Sequence, residues 1–263
     1  MSVNSHLINL SSALVLRGTE KDSINTSIST LSSRLTGHFG ANISQQFRFG
    51  SSVRETILPR KADENSDIDY MIVFNTSSGT YKPQTYLDQL RRFAERNYSS
   101  SEIHQSHPTV TLELNHIQFD LVPAIYNYSQ YQIPSPASTW SDWMPTDPNG
   151  FSQRLTTANT NYNSQVKPLV RLVKYWNALN GYCFASFDLE NYIVGVSFWG
   201  CNYLRDFFYT FWNGFSCSYD SPQYVKDKVQ RAKERALLIR QYEQQGNEGV
   251  AENELQRFIP AIS

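Results

Sequence analysis

Two aspartates, Asp67 and Asp69, stand directly ahead of an apolar run at residues 70–74. The run is typical of a buried strand, and residues i and i+2 of a strand point to the same face. Two adjacent carboxylates repel each other unless a cation lies between them, and oxygen ligands of this kind suit Mg²⁺. The pair therefore indicates a metal site. The alternative is a solvated acidic start of a strand, since an Asp-x-Asp is common by itself.

A small-residue turn, Gly50-Ser51, precedes the aspartates by a short polar connector. Glycine lets the backbone approach a ligand closely, so backbone N–H groups and the Ser51 hydroxyl could lie near a phosphate. Together with the metal site, this turn predicts a site for a nucleoside triphosphate with a catalytic metal ion.

A third acid, Asp120, lies in the second of two alternating stretches, residues 109–114 and 116–125, whose short Asn115-His116 connection predicts a β-hairpin. If the strands that carry the acids are neighbours, Asp67, Asp69 and Asp120 form a cluster of three carboxylates. Such a cluster can hold two metal ions roughly 4 Å apart for in-line phosphoryl or nucleotidyl transfer. We therefore predict these three aspartates as catalytic and metal-binding residues.

Two residues of the second half could help to bind phosphate. Lys174 lies on a largely apolar helical stretch, where a partly buried ammonium needs an anion; a solvated helix face is the equally weighted alternative. Ser186 begins the next helical stretch with a capping pattern, Ser186-Phe-Asp-Leu-Glu190. It could serve as the N-cap, and the same helix N-terminus could face a phosphate.

Composition excludes several classes of function. The 263 residues are 40% hydrophobic and 14% aromatic, which is typical of a folded protein, and the net charge of −1 gives no general attraction to long nucleic acids. The five histidines lack the two-histidine helix spacing, and neither a Gly-x-Ser-x-Gly nor a Walker motif occurs, which argues against a serine or zinc hydrolase. The three cysteines lack metal-ligand spacing, which predicts reduced thiols in a cytoplasmic protein. The N-terminal residues and the apolar stretches predict no signal peptide and no membrane span.

The order of the elements predicts an α+β protein with two lobes, a mixed β-sheet lobe followed by a helical lobe. We expect a nucleotidyltransferase lobe at residues 1–145, in which N-terminal helices between residues 5 and 39 cover the sheet, and a helical lobe at residues 146–263. Residues 126–148 predict a loop or crossover. The helix that begins at Ser186 is expected to lead into a helical run at residues 192–211.

The chain resembles a known superfamily. The ordered pattern Gly50-Ser51, Asp67-Ile68-Asp69 and Asp120 is similar to that of DNA polymerase β-type nucleotidyltransferases. Over roughly residues 40 to 200 the chain resembles the bacterial SMODS-type, cGAS/DncV-like nucleotidyltransferases, or CD-NTases. The softer matches that carry this narrower resemblance are Trp143 to Asn163, Leu169 to Asn177 and Ser186 to Glu190. One departure is Glu55, which stands where the family pattern usually has glycine.

The resemblance implies a two-lobed nucleotidyltransferase fold with its active site in the cleft. It implies that the enzyme joins nucleoside triphosphates, ATP among them, into cyclic di- or trinucleotide messengers for anti-phage (CBASS) signalling. Asp67, Asp69 and Asp120 would hold Mg²⁺, with Mn²⁺ as the alternative ion. Gly50 and Ser51 would bind the triphosphate, helped by Lys174 and Ser186.

Two rivals remain from the sequence. A nucleotidyltransferase could instead modify a protein, an RNA end or a small molecule, and a degenerate domain could bind nucleotide as a sensor. A regulatory protein partner is compatible with each of these functions, and we expect no membrane and no long nucleic acid as partners.

Overall fold

The computed structural model describes residues 2–77, 79–106, 108–136 and 141–262. Its strands are β1 (Ile43–Arg48), β2 (Asp67–Phe74), β3 (Glu102–Ser106), β4 (Thr109–Leu114), β5 (Ile117–Asn127), β6 (Gln130–Pro134) and β7 (Trp143–Thr146). Its helices are α1 (Val3–Ala13), α2 (Gly18–Phe39), α3 (Gly50–Arg54), α4 (Pro83–Asn97), α5 (Gly150–Asn161), α6 (Val166–Leu179), α7 (Ser186–Gly195), α8 (Leu204–Gly214), α9 (Gln223–Gln244) and α10 (Glu248–Phe258).

The strands form one mixed sheet, which confirms the predicted α+β class. Their order is β1-β2-β5-β4-β3, with β6 added to β5 and β7 added to β6. β2 and β5 run parallel, whereas the other pairs are antiparallel. The predicted hairpin is present, because Leu114 pairs with Ile117 across the Asn115-His116 connection. The parallel pair places the starts of β2 and β5 side by side.

One face of this sheet packs against α2 and α4. Alternate residues of β2 and β5 supply the apolar side, and leucines at helical spacing supply the facing surface. The buried side chains include Ile68, Tyr70, Phe119 and Leu121 from the strands, Leu31 and Leu35 from α2, and Leu87, Leu90 and Phe93 from α4. Because successive strand residues alternate, the intervening polar residues are left on the other face.

The sheet is larger than the sequence predicted, because β6 and β7 lie in the segment expected to be a loop. β6 turns back onto β5 through Tyr128 and Ser129, whose φ angles are +50° and +61°. Hairpin turns with two such residues usually contain glycine or asparagine. Neither residue gives that signal, so the sequence does not predict this turn.

The chain forms two compact units. The sheet unit comprises residues 16–60 and 65–152, and the helical unit comprises residues 2–15, 61–64 and 153–262. This division differs from the predicted lobes, because α1 packs against α6, α8 and α10 instead of covering the sheet. The guanidinium Nε of Arg171 donates a hydrogen bond to the carbonyl of Ser11 over 3.2 Å, which fastens α1 within the helical unit.

The helical run predicted after Ser186 is interrupted. α7 ends at Gly195, and α8 begins only at Leu204. Asp206 Oδ2 accepts hydrogen bonds from the backbone N–H groups of Asn202 and Tyr203, at 3.0 and 2.9 Å, which caps the new helix. The aromatic residues that follow fill the core of the unit, where the Trp176 and Trp212 rings meet edge to face at 4.7 Å.

Tyr209 of the helical unit lies beside Glu243. Burial, followed by the hydrogen bond from its hydroxyl to Glu243, raises the pKa of Tyr209.

Among the described residues, no helix combines the length and the apolar character needed to traverse a lipid bilayer.

Phe93 provides a test of the sheet-unit core. Its side chain is fully buried between Phe39 and Tyr98. We expect Phe93→Ala to lower the free energy of unfolding by about 3–5 kcal/mol, because it removes a large side chain and leaves a cavity. Guanidinium denaturation followed by circular dichroism measures this loss.

The matched control is Arg92→Ala, which changes the exposed neighbour of Phe93 on the same helix. We expect this variant to change stability by less than about 0.5 kcal/mol. Equal losses in the two variants would show that Phe93 does not support the core as described.

Candidate active site

The parallel pairing of β2 and β5 brings the three predicted acids together. Asp69 lies directly beside Asp120, and Asp67 lies beside Gln118. One carboxylate oxygen from each of Asp67, Asp69 and Asp120 lies within 4.8 Å of the others, and all three residues are half-buried. Over the described ranges, this is the single group of three His, Cys, Asp or Glu residues close enough to share a metal ion.

The donor set fits a hard divalent cation. The three residues offer carboxylate oxygens only, which are the ligands that Mg²⁺ and Mn²⁺ prefer. Three negative charges on adjacent strands also repel one another, so a cation between them would relieve that repulsion. Because the three residues are only half-buried, part of each stays accessible to solvent.

Gly50 lies against this acidic cluster. The backbone N–H of Phe49 donates to the carbonyl of Asp69 over 3.1 Å, which holds the start of α3 beside β2. Gly50 has φ +70°, and a Cβ atom at this position would lie 1.7 Å from Asp69 Oδ2. Glycine is therefore required here for two reasons, the backbone angle and the close approach of the carboxylate.

Ser51 follows Gly50 within the same short helix. The sequence predicted a turn, and the structure shows a single helical turn from Gly50 to Arg54. The Ser51 carbonyl accepts hydrogen bonds from the backbone N–H groups of Thr56 and Ile57, at 3.0 and 3.2 Å. Ser51 is buried, so its position is set by the backbone of this segment.

Glu55 ends that helix in the left-handed conformation. Its φ and ψ angles are +62° and +30°, and its backbone N–H donates to the Ser51 carbonyl. This conformation disfavours side chains with a Cβ atom. That is a physical reason for the glycine that usually stands here in the nucleotidyltransferases that the chain resembles. In this chain the backbone adopts the left-handed conformation with glutamate at position 55.

Asp120 has two hydrogen-bond donors that the sequence analysis did not identify. Thr111 Oγ1 donates to Asp120 Oδ1 over 2.8 Å, and Gln118 Nε2 donates to the same oxygen over 3.2 Å. Thr111 is the direct partner of Asp120 across the β4–β5 pair. Counting outwards from the Asn115-His116 connection gives the same pairing. The predicted hairpin therefore already implied that Thr111 lies opposite Asp120.

The other two predicted phosphate-binding residues belong to the helical unit. Lys174 is only 5% exposed, and its Nζ lies 3.4 Å from Oε1 of Glu190, which is fully buried. The alternative of a solvated helix face is therefore wrong for Lys174, and one anion that it needs is supplied by the protein. Its role toward a phosphate stays a prediction.

Ser186 is the first residue of α7 and not its N-cap. Ala185 takes the capping position, and no side chain caps the helix. The preceding loop is held by Asn177, whose side-chain amide donates to the Phe184 carbonyl over 2.8 Å and accepts from the Phe184 N–H over 3.1 Å.

Comparison with known proteins places these observations in a family. Residues 1–159 match the model of the Second Messenger Oligonucleotide or Dinucleotide Synthetase domain, SMODS. A probable cyclic nucleotide synthase of Bacillus cereus strain VD146 is 28% identical over 204 residues, which cover 63% of this chain and 57% of the relative. A cyclic AMP-AMP-AMP synthase of an Acinetobacter species is 26% identical over 144 residues, covering 54% and 40% respectively. The chain thus spans about half the length of the curated relatives it matches.

Solved structures share the fold. CdnC of E. coli MS115-1 with ATP superposes with a TM-score of 0.73 at 14% identity, covering 99% of this chain and 98% of CdnC. CdnC in complex with HORMA-deltaN gives a TM-score of 0.71 at 15% identity, with 98% of both chains covered. The two-lobed nucleotidyltransferase fold expected from the resemblance is therefore confirmed. With its acidic cluster, its glycine contact and the family match over more than half of its residues, the chain belongs to the Second Messenger Oligonucleotide or Dinucleotide Synthetase (SMODS) family.

Proposed function

We propose that this protein is a Mg²⁺-dependent nucleotidyltransferase that joins nucleoside triphosphates into a cyclic di- or trinucleotide messenger for anti-phage (CBASS) signalling. The observation that carries the proposal is the cluster of Asp67, Asp69 and Asp120 beside Gly50. The family match and the two relatives named as cyclic nucleotide synthases support it.

The three aspartates would hold the metal, and Asp120 would assist deprotonation of the acceptor 3′-hydroxyl. When bound, Mg²⁺ would supply positive charge that stabilises the reacting phosphate and the leaving pyrophosphate. The freed 3′-oxygen attacks the α-phosphate in line, so one oxygen–phosphorus bond forms while the bond to pyrophosphate breaks. Gly50 and Ser51 would bind the triphosphate, and Gly50 supports this role because it leaves the space above Asp69 free of side-chain atoms.

Lys174 and Ser186 would complete the phosphate-binding set. The Ser186 hydroxyl would be available for this role, because no side-chain hydrogen bond caps the start of α7. Lys174 would be held in place by its ion pair with Glu190, in which Nζ lies 3.4 Å from Oε1.

Substrates and partners are part of the proposal. We propose ATP as one substrate, since the CdnC structure contains ATP, and a regulatory protein partner, since CdnC forms a complex with HORMA-deltaN. A cytoplasmic location agrees with the free thiols of Cys183, Cys201 and Cys217. Transfer to a protein, an RNA end or a small molecule is the rival reaction, and product analysis separates it from cyclisation.

Asp69→Asn tests the metal assignment. We expect product formation to fall by about 100-fold or more, because several kcal/mol of charge stabilisation depend on this carboxylate. The protein is incubated with all four ribonucleoside triphosphates and Mg²⁺, and phosphatase-resistant products are identified by mass spectrometry. Asp22→Asn, which changes an exposed aspartate of α2 in the same unit, should retain full activity.

The outcomes of this assay are distinct. Undiminished product from Asp69→Asn would sink the metal assignment. A labelled macromolecule in place of a cyclic product would favour the rival transfer reaction, and nucleotide binding without release of pyrophosphate would favour a sensor.

Gly50→Ala tests the close approach of the backbone to Asp69. The new Cβ atom would collide with Asp69 Oδ2, so Asp69 must move, and we expect activity to fall by about 100-fold or more. Gly18→Ala is the matched control, because Gly18 also has a positive φ, +58°, but a Cβ atom there meets nothing within 4 Å. Both variants should lose about 1–2 kcal/mol of stability from the backbone angle. If both retained equal activity, the glycine contact would have no role in the reaction.

Ser186→Ala separates a phosphate-binding serine from a structural one. We expect KM for the nucleoside triphosphate to rise roughly three- to tenfold, the equivalent of one net hydrogen bond, with an unchanged melting temperature. Ser29→Ala on the exposed face of α2 is the control and should change neither quantity. A lower melting temperature with an unchanged KM would assign Ser186 a structural role only.

A further inference from the structure

Asp120 differs from an ordinary surface carboxylate in how its two oxygens are used. Oδ1 accepts hydrogen bonds from both Thr111 Oγ1 and Gln118 Nε2. A carboxylate oxygen has two lone pairs in its plane, so these donors occupy the acceptor capacity of Oδ1. Oδ2 has no hydrogen-bond partner within the described ranges.

The two donors are placed by the sheet itself. Thr111 lies opposite Asp120 on β4, and Gln118 lies two residues before Asp120 on β5, so all three side chains share one face. Asp69 lies on the other side of Asp120, which makes a row of Asp69, Asp120 and Thr111 across three adjacent strands. Hydrogen bonds from one side of this row turn the Asp120 carboxylate and limit its rotation.

The same hydrogen bonds act on the charge of the cluster. Three carboxylates within 4.8 Å repel one another, and two donors on Asp120 offset part of that cost before a cation binds. Thr111 is buried, which strengthens its hydrogen bond by excluding water. A methyl group in place of the hydroxyl would leave Oδ1 with one donor and free the carboxylate to turn.

We propose that Thr111 and Gln118 are positioning residues that fix Asp120 with Oδ2, and not Oδ1, toward the divalent cation. Outer hydrogen bonds to carboxylate ligands of metals typically change metal affinity by about 10- to 100-fold. This inference rests on the proposed metal site of Asp67, Asp69 and Asp120, and it assigns roles to two residues outside that set.

The test measures binding of Mn²⁺ alone to the full chain by electron paramagnetic resonance. We expect Thr111→Val to weaken Mn²⁺ binding by about tenfold, and Thr111→Val combined with Gln118→Leu to weaken it by up to about 100-fold. Thr111→Ser keeps the hydroxyl and should restore binding to within about twofold of the wild type. Melting temperatures are recorded for each variant, because a merely structural threonine would change stability and not the affinity for the metal.

Gln105→Leu is the matched control for the glutamine. Gln105 lies on β3 of the same sheet, and its amide bonds Gln84 rather than Asp120, so Mn²⁺ binding should be unchanged. Wild-type affinity in Thr111→Val and in the double variant would overturn the inference alone. A wild-type protein that binds no Mn²⁺ would overturn both the metal site and the inference.

A third result separates the two levels of the proposal. If the wild type binds Mn²⁺, the double variant binds it weakly, and yet no nucleotide product forms, then the positioning roles of Thr111 and Gln118 stand. The proposed enzymatic function alone would then be refuted.

Discussion

Mutual repulsion among three carboxylates is the constraint around which the sheet unit is built. Parallel pairing of β2 with β5 places Asp69 directly beside Asp120, and Asp67 lies on the same face two residues earlier on β2. Such a cluster costs free energy unless hydrogen bonds or a cation offset its charge. The apolar face of the same strands provides the compensating stability, because Ile68, Phe119 and their neighbours are buried against α2 and α4.

The segment between β1 and β2 is adapted to that cluster. Gly50 adopts a positive φ and leaves space for the Asp69 carboxylate, while Phe49 bonds the backbone of the same aspartate. Glu55 accepts a left-handed conformation that suits glycine better. Gly50 adopts its positive φ without steric cost, whereas Glu55 at the other end of α3 holds a left-handed angle that is unfavourable for a residue with a Cβ atom.

The helical unit contains a buried ion pair between α6 and α7. Lys174 and Glu190 are both buried, and their side chains form an ion pair over 3.4 Å. Asn177 pairs with both backbone polar groups of Phe184 and fixes the loop before Ser186. A buried ion pair and a buried amide thus order the adjoining parts of α6 and α7, which carry Lys174 and Ser186. In the same unit, the Trp176 and Trp212 rings pack edge to face at 4.7 Å.

The sequence by itself determined the acids, the glycine and the hairpin, because these follow from residue type and from spacing within a few positions. It also indicated the mixed sheet and the helices after it. Only the tertiary structure decided that β2 pairs with β5, that Tyr128 and Ser129 turn the chain into β6, and that α1 joins the helical unit. Those outcomes depend on contacts between residues distant in the chain, and local patterns do not encode them. The donors on Asp120 lie between these cases, since the hairpin implied the Thr111 pairing but only the folded sheet showed the hydrogen bond.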